Sequence, residues 1–400
     1  MNNQQTILAV SKPAGRSLKV FNYKPLKPDI MKSKIKICLT VLLMTFLWSC
    51  NYKTHVINTV HEDGSVTRTV IIKTDKNVFN PDDFRVPIDS TWQTDTTLEV
   101  GSANDTTWVF TAEKHFESVE GINLEYQNDK GSNSHLNRRA DFDRKFRWFT
   151  TVFRFSETID RILTVNCPME EFFNEEEMKY IYLPESVQEE LKNGPDSLVY
   201  KTLSDSIDDK AENWMWTCFY REWVETFFTI YGENPDLPMT REEMLSLESK
   251  VVEFIKKGEE EKMHETEKVI KGDSTDTEED DVSKVVTGVF GPDFYRDYRT
   301  EIDSVMAVME EISEKVWSAQ KYDMEIKMPG IITGTNGYSS VIADSTSTVG
   351  IIWTVDANYF FSQTFEMWVE SRINNYWAWI ASGIFILFVL TGLILFYRKK

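Results

Sequence analysis

Four hundred residues carry 64 acidic and 44 basic side chains, a net charge of −20 with histidine neutral, and 41% of them are hydrophobic. That acidity argues against nucleic acid as a partner, since both would be polyanions, and the apolar fraction excludes wholesale disorder. With the two terminal apolar segments set aside, about 325 residues remain, enough for one large or two ordinary domains with their own cores.

The first apolar segment begins well inside the chain. Met31 opens MKSKIKICLTVLLMTFLWSCN, where Lys32, Lys34 and Lys36 precede an apolar run from Ile37 to Trp48, and Ser49 is followed by Cys50. A basic start, a run of about a dozen apolar residues and a small residue before the cut are the parts of an export leader. Leu47-Trp48-Ser49-Cys50 resembles the bacterial lipobox, which implies a signal peptide over 31–49 and acylation, with palmitate among the attached chains, at Cys50. The alternative is an uncleaved signal anchor. Residues 1–30 have scattered basic side chains and no apolar period, so they read as a non-native extension ahead of a start at Met31.

Residues 50–165 form a strand-rich exported region. THVINTVHEDGSVTRTVIIKT from Thr54 predicts a β-hairpin turning at His61-Glu62-Asp63-Gly64, with Gly64 free to take the positive φ of the turn. Further strands are expected at 107–116 and at 146–155, where FRWFTTVFRF suits a strand packed on both faces.

A helical section is expected over 166–322. In ENWMWTCFYREWVETFFTIY, Trp216, Phe219, Trp223, Phe227 and Ile230 recur at spacings of three and four. Gly232 to Pro238 stops that helix. Thr240-Arg241-Glu242-Glu243 then matches a capping box, and Met244, Leu247, Val251 and Phe254 carry a second helix to about Lys257. The stretch 258–281 is dominated by Glu and Asp and reads as a solvated helix end followed by an acidic loop. Its DSTDTEEDD lacks the glycine and spacing of an EF-hand. Phe294, Tyr298, Ile302, Val305, Met309, Ile312 and Val316 mark one more long one-faced helix.

Residues 323–375 are strand-rich again, with turns at Pro329-Gly330, Gly334-Thr335-Asn336-Gly337 and Ala343-Asp344. Strands at both ends most simply meet in one mixed or antiparallel sheet with the helices on one side, an α+β fold. The second apolar segment, 377–397, holds about 21 residues without a formal charge, enough to span a ~30 Å hydrocarbon core. Trp377, Trp379 and Tyr397 suit the two interfaces, and the tail 398–400, Arg-Lys-Lys, suits a cytoplasmic end. Leader and tail together predict a single-pass protein of the cytoplasmic membrane with its main domain on the periplasmic side.

Motifs for chemistry are sparse. His55, His61, His115, His135 and His264 include no pair at metal-ligand spacing, and no nucleophile elbow, P-loop, dinucleotide fingerprint or Cys-x-x-Cys is present. No catalytic residue, metal or cofactor is assigned, and the protein is not expected to be an enzyme. Cys167 and Cys218 are a candidate disulfide in an oxidising compartment, the alternative being two buried thiols.

The lipobox, the hairpin in HEDGSVTRTVII, the MPGIITGTNG stretch and the tryptophan strand VGIIWTV before the apolar helix together resemble the LppM-type bacterial lipoproteins. The positions that carry this are Asp63, Gly64, Pro329, Gly330, Asn336, Gly337 and Trp353. The resemblance implies a curved sheet with helices around an apolar cavity that faces the membrane; the long section from Asn166 to Tyr322 departs from that pattern, and no ligand residue is carried over. Two functions follow as expectations: an envelope module binding membrane lipid or another apolar ligand, or a structural and assembly protein docking an envelope partner through its helical and acidic section.

Overall fold

In a computed structural model the described residues are 53–75, 85–100, 106–131, 133–232, 234, 237–269, 281–319, 321–340 and 349–398. The preamble, the leader 31–49, Cys50, residues 270–280 of the acidic stretch, the Ala343-Asp344 turn and Lys399-Lys400 lie outside them. The fold is α+β, and its strands form two sheets rather than one.

β1 (Lys53–Val60) and β2 (Val66–Thr74) form the predicted hairpin, with Gly64 at φ 95° in its turn. In both strands every second residue is buried, the pattern of a sheet with one face on the core. β3 (Gln93–Val100) and β4 (Thr106–Phe116) extend the sheet beyond β2. On the other side β7 (Tyr322–Lys327) pairs parallel to β1, followed by β10 (Gly350–Val355) and β9 (Tyr338–Ser340). The seven-stranded order is β3-β4-β2-β1-β7-β10-β9, so strands from the two ends of the domain lie side by side.

The second sheet has the order β5-β6-β11-β8, built from β5 (Arg138–Arg147), β6 (Thr150–Ile159), β8 (Ile331–Thr335) and β11 (Phe365–Asn374). The expected strand 146–155 is thus corrected: FRWFTTVFRF crosses a turn at Trp148-Phe149 and belongs to both arms of a hairpin. Between β7 and β8 the chain passes from one sheet to the other at Pro329-Gly330. Gly330 has φ 81°, and a Cβ there would lie 2.4 Å from the Arg372 carbonyl oxygen, so only glycine fits. The expected four-residue turn after it is shorter, since Gly334 and Thr335 still belong to β8. The two sheets and α1 (Val119–Asn128) share one core that includes Val56, Val70, Ile122, Phe153, Phe155, Met324, Trp353 and Met367.

Helices make up most of the described residues between 175 and 318. After a single 3-10 turn at Met169–Glu171 come α2 (Glu175–Ile181), α3 (Glu185–Asn193) and α4 (Ser197–Tyr231). α4 is 35 residues long and begins well before the aromatic stripe that announced it. Of that stripe Trp223 and Phe227 are buried while Ile230 is 47% exposed; the buried set runs instead through Trp214, Cys218, Val224 and Phe227. The capping box forms as expected: the Thr240 hydroxyl accepts from the Glu243 N–H, and the Glu243 carboxylate accepts from the Thr240 N–H. It caps only α5 (Arg241–Leu245), and α6 (Glu248–Val269) follows as a separate helix. α7 (Asp281–Phe290), α8 (Pro292–Asp297) and α9 (Arg299–Ser318) complete the section; the single helix expected from Phe294 onward breaks at Tyr298, and α9 buries Ile302, Val305, Met309, Ile312 and Val316 at the predicted spacing. These helices enclose a second core, joined at its edge by Leu163, Cys167 and Phe361.

Past the short α10 (Ala357–Phe360), β11 runs into α11 (Tyr376–Arg398) with only Asn375 between them. α11 is long and apolar enough to cross a membrane.

Candidate functional site

Two polar centres stand within the apolar interior, and the first sits where strand periodicity calls for hydrophobic residues. The first lies between the sheets. Asn58 on β1 and Arg68 on β2 face each other in register on the buried side, and Glu157 reaches them from β6. Arg68 is 1% exposed and Glu157 3%, so this ion pair is in the core. The Arg68 guanidinium donates to Glu157, to Asn58 Oδ1 at 2.7 Å and to the Tyr126 hydroxyl at 2.7 Å. The Asn58 amide and the Tyr126 hydroxyl each donate to Glu157 at 2.6 Å. Arg138, paired with Asp129, covers the Tyr126 ring from 4.3 Å.

The electrostatics follow from this closure. Burial pulls the Arg68 pKa down, but Glu157 and the Tyr126 oxygen outweigh it and leave the guanidinium more firmly protonated than usual. Burial also raises the Tyr126 hydroxyl, and Tyr322 beside it is pushed up to about 12. Every charge in the group has a partner, so the arrangement stiffens the interface between the sheets and offers no free acid, base or nucleophile.

The second centre holds the predicted cysteines. Cys167, in the segment after β6, and Cys218, in the middle of α4, are both fully buried, and the structure brings them together as free thiols. The candidate disulfide is therefore not formed in this structure. The Cys167 carbonyl instead collects donors: Trp214 Nε1 at 3.1 Å, Ser362 Oγ at 2.5 Å and Cys218 Sγ at 3.8 Å. Arg221 places Nη1 3.5 Å from Cys167 Sγ and is itself held by Glu248 at 2.8 Å and Glu171 at 3.0 Å. The hydrogen bond from Cys218 lowers the Cys167 pKa, with Arg221 assisting, whereas burial drives the Cys218 thiol far up. The pair is an asymmetric dithiol.

Beside it a cleft of about 450 Å³ opens between α4 and α6, lined by Phe172, Asn213, Thr217, Glu248, Ser249, Val252, Glu253, Lys256 and Lys257. Two carboxylates, Glu248 and Glu253, and two ammonium groups, Lys256 and Lys257, line it beside the apolar Phe172 and Val252. Of the histidines, His61 and His115 do meet, joined through the Thr67 hydroxyl at 3.0 and 3.2 Å. No group of three or more His, Cys, Asp or Glu gathers to hold a metal among the described residues.

The buried charges were missed in the sequence, although a signal existed. In Val66-x-Arg68-x-Val70-x-Ile72 and Phe153-x-Phe155-x-Glu157-x-Ile159 a charge occupies an inward position of an otherwise apolar alternation. Compared with known proteins, the chain matches no family model, no curated protein and no solved structure.

Proposed function

We infer that the protein is a membrane-tethered docking module of a bacterial envelope, which holds a partner protein through its helical section. α11 would be the span, with Arg398 at its cytoplasmic end and a lipid at Cys50 as a second anchor, as in the LppM-type lipoproteins that the sequence resembles. The observation that carries the docking role is the filling of the interior. The space between the sheets is taken up by large side chains and a fully paired ionic group, and the aromatic face of α4 is spent on the helical core itself. The cleft described above sets two Glu and two Lys among its lining residues, unlike the predominantly apolar pockets that take lipids. Recognition then falls to the surface, where the helical section exposes Leu198 at 78% and Val199 at 65% at the start of α4.

The acidic stretch supports the same reading, since it would select a basic patch and speed encounter. The test is affinity purification of the intact chain from cross-linked native membranes, beside a variant in which the acidic residues between 258 and 281 are neutralised. A stoichiometric protein partner that the variant loses supports docking. A stoichiometric lipid with no protein partner would return the reading to an apolar-ligand module.

A further inference from the structure

The β5–β6 turn lies at the end of the four-stranded sheet from which α11 departs, because Arg147, Thr150 and Asn374 are in register. Asn375 fixes this junction. Its N–H donates to the Phe149 carbonyl at 2.9 Å, its side-chain amide to the Arg147 carbonyl at 2.8 Å, and it accepts from the Thr151 hydroxyl at 3.1 Å.

The turn then follows the apolar helix. Phe146 stacks on Trp377 with centroids 6.3 Å apart, Trp148 meets the same ring edge-on at 5.3 Å, and Phe149 lies 4.3 Å from Trp379. The Trp148 indole N–H donates to Ser382 Oγ at 2.9 Å, which puts that side chain level with the second turn of α11, about 9 Å from its start at ~1.5 Å per residue. These rings still face outward: Phe146 is 57% exposed and Trp148 50%. Among them stand the exposed cations Arg144, Lys145 and Arg147, in a chain of net charge −20. Lys145 has Asp143 at 2.7 Å as an exposed neighbour, so the turn keeps a positive excess.

An exposed aromatic cluster interleaved with cations, rigidly joined to a helix of membrane-spanning length, matches a bilayer interface: the rings suit the headgroup level and the cations suit phosphates. We propose that the β5–β6 turn is a second membrane-contacting element, which seats Phe146, Trp148 and Phe149 at the interface and binds anionic phospholipid headgroups through Arg144, Lys145 and Arg147. This rests on α11 being a span.

The test is photo-crosslinking of the full chain in nanodiscs of equal phosphatidylcholine and phosphatidylglycerol, with a diazirine side chain at Phe146 in one sample and at Leu387 in another. Arg398, Lys399 and Lys400 are neutralised throughout, which removes the other basic cluster. The expected result is lipid adducts at both positions. At 146, phosphatidylglycerol should be favoured by about fivefold or more, falling to parity in Arg144→Gln/Lys145→Gln/Arg147→Gln. Lipid at 387 with none at 146, or with no preference at 146, overturns the turn's role and leaves the span intact. No lipid at either position removes the span and the proposal with it.

Discussion

Replacing Arg68 by methionine should be among the most damaging single changes in the sheet region. It would leave the Glu157 carboxylate, 3% exposed, with the Asn58 amide and the Tyr126 hydroxyl as its remaining donors. Removing one partner of a buried pair costs about 3–5 kcal/mol. The two surviving hydrogen bonds put the expectation near the lower end, about 3 kcal/mol, or roughly 4–5 °C for a cooperative unit of this size. Glu157→Met should cost a similar amount, because it leaves Arg68 uncompensated. The double variant Arg68→Met/Glu157→Met carries neither charge and should cost less than either single change. Urea unfolding of the full chain in detergent, followed by far-UV circular dichroism, measures all three. If the double variant costs the sum of the two singles, within about 0.5 kcal/mol, the residues are not energetically coupled and the reasoning fails.

Glu325 tests acid sensitivity. Burial acts to raise its carboxyl pKa, but the His55 hydrogen bond and Lys327 hold it below the ordinary 4.5. A lowered folded value means that its stabilisation is complete above about pH 4.5 and is lost as pH falls through the lower folded value; Glu325→Gln should flatten the acid limb of a stability–pH curve, and an unchanged limb would refute this. Gly350→Ala should destabilise by about 1–3 kcal/mol, because the new Cβ would lie 1.9 Å from Glu325 Oε1; a neutral effect in thermal melts would show that the carboxylate is free to move. If Cys167 and Cys218 oxidise in an oxidising compartment, non-reducing peptide mapping should find the linked peptides and reduction should cost about 4 kcal/mol for a loop of some fifty residues; two free thiols after export would end that expectation.

What was legible in the sequence followed from local chemistry. The β1–β2 hairpin could be read because Gly64 and Asp63 mark a turn between β-branched runs, and α9 because a single apolar face repeats for five turns. The β5–β6 turn was hidden because it has no Gly, Pro, Asn or Asp: its aromatic residues serve the contact with α11, so the alternation runs straight through the bend. β3 and β5 were missed for a different reason. Both are edge strands, β3 exposed along its whole length, and an edge with little to bury leaves no apolar period. The Arg68–Glu157 centre depends on two strands almost ninety residues apart, which only tertiary packing brings together.

The continuity of β11 into α11 has a geometric consequence. β11 pairs with β6 over ten residues, Asn374 with Thr150 at the end beside α11 and Phe365 with Ile159 at the other, and the helical core closes around Leu163, Cys167 and Phe361 just past that far end. At ~3.3 Å per residue the paired strands make a pillar about 30 Å tall. With Asn375 as the only joint, the pillar has no slack linker at its base. On the membrane reading, the helical section is carried at a set height and bearing above the bilayer, so a partner standing too low or turned the wrong way would be excluded by geometry before any surface chemistry was consulted.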